Sequence, residues 1–195
     1  MILPNLQAKK IILASGSPRR QQLIRALGVD VEVRLKDTDE DFPASLQREQ
    51  VARYLAEKKA DAFFGELAPN EVLITGDTTV YLNGEILNKP LDAQEAFAML
   101  KKLCNQTHTV ITAVCIVSDQ HKQVFHDETE VTFGELSDDE INYYIQEYKP
   151  FDKAGAYGAQ DFIGYIGIVD MHGSFYNVMG FPLHLVYRAL KELKH

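Results

Sequence analysis

Apolar residues along this chain fall into two rhythms that take turns: short unbroken or alternating runs, and longer stretches spaced by three and four. Lys10–Ala14 (KIILA) is a continuous apolar run closed by a Ser/Gly/Pro cluster, which predicts a buried strand. Pro18–Leu27 carries Leu23, Ile24 and Leu27 at helical spacing and stops at Gly28, which predicts a helix. Val31–Leu35 alternates apolar and charged residues like a half-buried strand, and KDTDEDFP after it reads as an acidic loop. Ala44–Leu67 predicts one long helix, with Val51, Leu55, Phe63 and Leu67 on a shared face. EVLITGDTTVYLNGEILNKP gives two β-rich runs joined by Asn83–Gly84, a pair suited to a turn whose central residues both take positive φ. Asp92 and Ser137, each followed three residues later by Glu, are capping-box signals for helices ending near Leu103 and Tyr148. Between them, strands near His108–Ser118 and Gln123–Leu136 are predicted to form a hairpin. The remainder predicts a Gly-rich segment, a strand near Phe162–Asp170, a turn at His172–Gly173 and a helix from about Pro182. Helices interleaved with strands, some of them hairpin-paired, imply an α/β fold with a mixed parallel and antiparallel sheet flanked by helices.

Composition narrows the function classes. The 195 residues show no repeat, low-complexity tract or linker, so one domain spanning 1–195 is expected. A net charge of −8 without a basic run argues against nucleic-acid binding. No apolar stretch approaches the ~18 residues of a membrane span. The start, MILPNLQAKKIILAS, sets two lysines inside what would be a signal peptide's apolar centre, so no export signal is expected. Cys104 and Cys115 fit neither a CxxC pair nor a disulfide framework, which points to a reducing, cytoplasmic setting. His108, His121, His126, His172, His184 and His195 include no HExxH and no zinc spacing, and read as surface or core residues. A P-loop, a GxGxxG and a GxSxG elbow are all absent.

Several segments could carry chemistry. Ser15-Gly16-Ser17-Pro18-Arg19-Arg20 lies between a predicted strand and helix, where unpaired backbone N–H groups and the helix dipole favour an anion. Two guanidiniums strengthen that reading, since each offers a planar fork to phosphate oxygens; the alternative is an ordinary Ser cap beside two solvated arginines. Asp77 interrupts an apolar run, where a carboxylate must be paired, hydrogen-bonded or metal-bound. It is therefore either a structural anchor or a base and ligand. Lys59 occupies the missing step between Leu55 and Phe63 on the apolar helix face, so it either snorkels to solvent or lines a cleft. Asp37, Asp39, Glu40 and Asp41 form either a solvated surface or a source of oxygen ligands for Mg²⁺. Lys89, before Pro90, means little alone. Asp152–Gln160 combines glycines that permit close backbone approach with an amide, Gln160, that can donate and accept.

Taken together, LASGSPRRQQL, the Glu of DTDED, GDTTVYLNGEILNKP, DKAGAYGAQ and YNVMGFPL closely resemble, in order and spacing from about Lys10 to Leu190, the Maf family of nucleoside triphosphate pyrophosphatases. The resemblance implies a Maf/ITPase-like α/β fold, a mixed twisted sheet with two lobes around a central cleft. It implies metal-dependent hydrolysis of a nucleoside triphosphate substrate to monophosphate and pyrophosphate with Mg²⁺ or Mn²⁺, a house-cleaning role and a homodimer. By motif, Asp77 matches the catalytic Asp and Glu40 a metal or water ligand. Ser15, Ser17, Arg19 and Arg20 match the phosphate-binding SxSPRR segment, and Lys59 and Lys89 match lysines that approach the phosphates. Arg19, Thr78 and Gln160 match positions tied to substrate choice. SxSPRR with D-T-x-V and AYGxQ is similar to the branch acting on dTTP and UTP, including modified pyrimidine nucleotides. Three departures stand out: Gly76 where many members have Ala, Asn88 where Gly is common, and Asp161 where Gly is usual, which sets a carboxylate beside Gln160. The rivals to catalysis by this route are a non-hydrolytic nucleotide-binding regulator of septum formation and a sugar hydrolase using Asp77 and Glu40.

Overall fold

The structure, a computed structural model, describes residues 3–119 and 121–193; the start of the chain and His195 lie outside them. In chain order it contains β1 (Lys10–Leu13), α1 (Pro18–Ala26), β2 (Glu32–Val33), α2 (Glu49–Asp61), β3 (Glu71–Leu82), β4 (Glu85–Leu87), α3 (Ala93–Leu103), β5 (Thr107–Val117), β6 (Lys122–Phe133), α4 (Asp138–Tyr148), α5 (Phe162–Gly167), β7 (Ile168–His172), α6 (Phe175–Val178) and α7 (Leu183–Glu192). Among the described residues seven strands form one mixed sheet, ordered β2-β1-β3-β5-β6-β7, with β4 paired to β3 off that path. β1 runs parallel to both neighbours, and β4 and β7 are antiparallel to β3 and β6. The α/β class with a mixed, helix-flanked sheet is thus the one expected. The chain forms two compact units, and β3 passes from the first into the second between Asp77 and Thr78.

The first unit holds the chain up to Asp77, Thr112–Asp127 and the chain from Gly180 onward. With a parallel partner on each side, β1 is enclosed, and its Ile11, Ile12 and Leu13 are buried without alternation. Register between β1 and β3 is reinforced where they begin. Glu71 accepts both arms of the Arg34 fork at 3.1 and 2.8 Å and the Ala68 N–H at 3.2 Å. Arg34, the Ala68 amide and Lys10 together hold the Glu71 carboxyl down at about 2.

Two expectations need correction here and in the second unit. The predicted helix over Ala44–Leu67 is only α2, Glu49–Asp61. Leu46 N–H closes a turn onto Pro43, and Arg48 sits at φ 47, ψ −124, a conformation no helix can run through. At the other end Phe63, Phe64 and Glu66 bond three residues back, and Gly65 turns the chain at φ 76. The apolar spacing continued because such turns repeat almost as a helix does. The predicted strand near Phe162–Asp170 begins instead as helix α5, and only Ile168–His172 is extended. Its β-favouring residues misled, whereas the buried set Ile163, Gly164 and Gly167 has helical spacing. Helix α6 lies inside the tail beyond the anticipated turn, and β2 is shorter than Val31–Leu35.

The second unit holds Thr78–Ile111 and Glu128–Met179. Asn83 and Gly84 take φ of 49° and 91°, as the two-residue turn requires, and pair Leu82 with Glu85. The Ser137–Glu140 capping box forms in both directions, while Glu95 reaches past its Asp92 cap to the Leu91 N–H. Its core gathers Leu87, Leu100, Leu103, Val131, Phe133 and Tyr144. Within it the rings of His108, Phe133 and Tyr157 meet edge to face at 4.9–5.4 Å, and His108 Nε2 lies 2.7 Å from the Tyr157 hydroxyl.

Burial pushes His108 down to about 4, so the folded core keeps it neutral while an unfolded chain protonates it near 6.5. Between these values the unfolded state binds more protons, and stability is lost as pH falls through the window. Thermal unfolding followed from pH 7 to pH 4 should show about 3 kcal/mol of acid destabilisation traceable to this residue. In His108→Gln that portion of the pH dependence should vanish; an unaltered slope would show that His108 is not the cause.

Candidate active site

The first unit assembles most of the residues singled out by sequence, beginning at the turn between β1 and α1. Ala14 N–H still pairs with Ile74 C=O, after which the chain leaves the sheet. Ser15 is buried, and its Oγ accepts from the Ser17 N–H at 3.3 Å. Ser17 is the N-cap of α1, its side chain accepting from Arg20 N, and Pro18 occupies the first turn without sacrificing a donor. Arg20 points back under this turn. Its Nη1 donates to Ser15 Oγ at 3.3 Å and to Gly76 C=O at 2.9 Å, and its Nε donates to Gly180 C=O at 2.8 Å. These acceptors are all neutral, so they fix the guanidinium's orientation without cancelling its charge. Burial lowers the Arg20 pKa first; the carboxylates of Asp77 and Glu40 pull it back up, and Arg19 pushes it further down. All four groups therefore share one electrostatic environment.

β3 and α2 supply the rest. Thr75 and Asp77 share one face of the strand. Thr75 Oγ1 donates to Ala56 C=O at 2.6 Å, and Lys59 Nζ, one turn further along α2, lies 2.6 Å from Asp77 Oδ1. The same ammonium is 3.0 Å from Glu40 Oε1, so one cation bridges two carboxylates. Lys59 departs from the α2 face that buries Val51 and Leu55, as its spacing indicated. It turns to Asp77 rather than to solvent, and Asp77 is only 7% exposed. The neighbouring Lys58 pairs with Asp39 and donates to Asp41 C=O, so α2 pins the acidic loop through consecutive lysines. Gly76 has little room. A Cβ there would stand 3.0 Å from Ala113 C=O and 3.6 Å from Arg20 Nε.

Thr78, Lys89 and Gln160 belong to the second unit. Thr78 is half-buried in β3, and Lys89 is exposed just beyond β4. The segment carrying Lys89 is tied to the Gly-rich one by Gly155 N–H donating to Asn88 C=O at 3.1 Å. Because that bond uses only the Asn88 backbone, the Asn in place of Gly is accommodated. Gly155 takes φ 66°, and a Cβ would meet Val80 at 3.0 Å, so both conformation and space call for glycine. Gln160 Oε1 is buried with no hydrogen-bond partner. Asp161 does lie next to it, but its Oδ2 accepts from the Tyr144 hydroxyl at 3.0 Å and stands 3.8 Å from Lys153 Nζ.

Sequence reasoning missed Gly180, whose carbonyl orients Arg20, as well as Thr75, Lys58 and Tyr144. Gly180 sits in the YNVMGFPL motif, where a main-chain carbonyl offers no side-chain signal. Tyr144 was discoverable: Ile141, Tyr144 and Ile145 form the buried stripe of α4, and a buried tyrosine needs a partner for its hydroxyl. Among the described residues no group of three or more His, Cys, Asp or Glu is placed to hold a metal ion, and no helix is long and apolar enough to cross a membrane.

A helix-capped turn, an oriented buried arginine and an ammonium shared by two carboxylates make a centre suited to binding a polyanion. The chain belongs to the Maf-like protein family, whose model it matches over residues 10–193. It is 54% identical to a dTTP/UTP pyrophosphatase of Flavobacterium psychrophilum across 97% of both chains. Relatives of the same name from Flavobacterium johnsoniae and Bacteroides thetaiotaomicron are 49% and 46% identical, over 99% and 98% of this chain and the whole of theirs. Among solved structures, the Staphylococcus aureus Ham1 protein aligns with 64% of this chain and 72% of its own at 18% identity and a TM-score of 0.45, a partial likeness.

Removing the Lys59 ammonium takes from a buried carboxylate its bonded ion-pair partner. Lys59→Met should cost about 2 kcal/mol in denaturant unfolding, below the ~3–5 kcal/mol of a fully buried pair because 18% of the Lys59 side chain is exposed. Adding Asp77→Asn should restore most of that loss, since the stranded charge goes with it. Strictly additive effects of the two changes would show that the pair is not coupled.

Proposed function

We propose that the protein hydrolyses nucleoside triphosphates, dTTP and UTP foremost and modified pyrimidine nucleotides with them, to the monophosphate and pyrophosphate, in the reducing setting of the cytoplasm. The observation that carries this reading is the buried Asp77 carboxylate, joined through Lys59 to Glu40 and lying in the field of the clamped Arg20. Such a centre combines acceptors for a proton and a metal with fixed positive charge for phosphate oxygens. Homologues of 46–54% identity that carry the dTTP/UTP pyrophosphatase name support the reaction and the bases. The free thiols Cys104 and Cys115 are in keeping with the compartment.

Asp77 and Glu40 also fit a hard divalent ion. Both present carboxylate oxygens, and they already share a cation in the form of the Lys59 ammonium. Mg²⁺ characteristically takes one or two carboxylates and completes its shell with water and substrate phosphates. Asp77 and Glu40 would hold Mg²⁺ or Mn²⁺, which when bound polarises a phosphoryl group.

In the reaction the oxygen of water bonds to the α-phosphorus, the bond from that phosphorus to the bridging oxygen breaks, and pyrophosphate leaves with the electron pair. Asp77 accepts the water's proton, a contribution of about 10²–10⁴-fold. Arg20, already turned by Ser15, Gly76 and Gly180, stabilises negative charge on the departing phosphates without reorganising. Ser15, Ser17 and Arg19 complete the phosphate turn. Lys59 donates to a phosphate oxygen of the substrate, and Lys89 adds a further positive charge. Thr78 and Gln160 contribute to the choice of base, the partnerless Gln160 Oε1 accepting from a donor on it.

Pyrophosphate release should be measured from a panel of normal and modified triphosphates, with the nucleotide product identified. Turnover should be fastest with dTTP and UTP, cease in EDTA and return with Mg²⁺ or Mn²⁺. Asp77→Asn should fold and lose at least about 10²-fold in turnover, and Arg20→Ala should lower kcat/KM by a similar factor. A triphosphate that stays bound but intact with metal present would instead make the protein a nucleotide-binding regulator.

A further inference from the structure

We infer that the Tyr144 hydroxyl and the Asp161 carboxylate are positioning residues that set base discrimination by clamping the turn that carries Gln160, an inference resting on the proposed role of Gln160 toward the base. Residues 158–161 form a tight turn closed by Asp161 N–H donating to Gly158 C=O at 3.0 Å. Both ends of it converge on one atom. The Tyr144 oxygen accepts from the Gly158 N–H at 3.2 Å, and its proton is donated to Asp161 Oδ2 at 3.0 Å. Tyr144 is fully buried in the core stripe of α4, so the hydroxyl is delivered from a rigid element. Burial and the Asp161 charge raise its pKa, which keeps the proton available for donation.

The clamp reaches the Gln160 amide by steric contact. A Cβ on Gly158 would lie 2.5 Å from Asp161 Oδ2 and 2.9 Å from Gln160 Nε2, so both side chains press against the Hα side of that glycine. On the main chain, Gln160 C=O accepts from the Tyr165 hydroxyl, and Asp161 C=O accepts from Gly164 and Tyr165 N–H where α5 begins. Every neighbour of Gln160 in the turn is thereby fixed, yet its own buried Oε1 has no partner. A buried amide oxygen without a partner, carried on a turn pinned at both ends, is a group prepared to read a ligand, since a misaligned base leaves that atom unpaired. Asp161 is thus no intruder beside Gln160. It is the far arm of the clamp, and Lys153 at 3.8 Å offsets its charge.

The test compares UTP with CTP, which differ in presenting a donor or an acceptor at N3. Kinetic constants, unfolding midpoints and the exchange rate of the Gly158 amide would be measured for wild type, Tyr144→Phe, Asp161→Ala, Asp161→Asn and Gln160→Leu. Tyr144→Phe and Asp161→Ala should each lower the UTP-to-CTP ratio of kcat/KM about tenfold through the KM for UTP, with kcat little altered. The Gly158 amide should exchange faster in Tyr144→Phe. Asp161→Asn keeps an acceptor for the hydroxyl and should retain the wild-type ratio, a rescue that general destabilisation would not produce. Asp161→Ala carries the test should Tyr144→Phe fail to fold. If Gln160→Leu leaves the ratio unchanged, Gln160 does not read the base. If it collapses the ratio while Tyr144→Phe and Asp161→Ala behave as wild type, the clamp is overturned.

Discussion

A carboxylate placed inside a buried strand is the constraint around which the first unit is organised. Asp77 sits on β3 with almost no exposure, and such a charge is tolerated only with a partner. α2 meets the requirement. It packs one face against apolar neighbours and, from that same face, sends Lys59 to Asp77. The ammonium then recruits Glu40 from the acidic loop, and the adjacent Lys58 holds Asp39 and the Asp41 carbonyl. One ion pair thereby determines which helix face is polar at that point and where an otherwise solvated loop settles. The same arrangement brings two carboxylates together around one cation, the pair proposed to hold the metal.

Positive charge is handled differently. Arg20 is oriented by a hydroxyl, that of Ser15, and by two main-chain carbonyls from separate parts of the chain, Gly76 and Gly180. Orientation by neutral acceptors preserves the charge for a ligand, and the fields of Asp77 and Glu40 moderate the cost of burying it. The resulting centre has an oriented cation and a paired anion side by side, a combination useful for a reaction that must bind phosphate and accept a proton from water.

The second unit uses polar atoms sparingly and in its interior. The His108–Tyr157 contact is surrounded by aromatic edges, and the Tyr144 hydroxyl serves two residues at once. The Tyr157 and Tyr144 hydroxyls are thereby both satisfied and directional. Gln160 Oε1 has no such partner, and its place on a turn pinned at both ends is what supports its proposed role toward the base.

Much of this was legible in the order of residues. The KIILA strand, the Ser17 cap, the Asn83–Gly84 turn, the Ser137 capping box and the anomaly of Lys59 on an apolar face all depend on neighbours within a few positions. Local chemistry therefore reveals them. Ala44–Leu67 and Phe162–Asp170 differ for a related reason: apolar spacing and β propensity continue through turns and short helices, whereas the break at Arg48 and the close approach of Gly164 to the Ala159 backbone leave no mark on either pattern. The motif resemblance picked out Asp77, Arg20, Glu40 and Gln160 as residues but could not say what holds them. That Arg20 is turned by the Gly180 carbonyl, 160 positions away, and that Tyr144 closes the turn before Gln160, follow only from how the elements pack. A backbone carbonyl has no side-chain identity to read, and a tyrosine's partner is chosen by three-dimensional proximity, so sequence names the reacting groups while tertiary structure aims them.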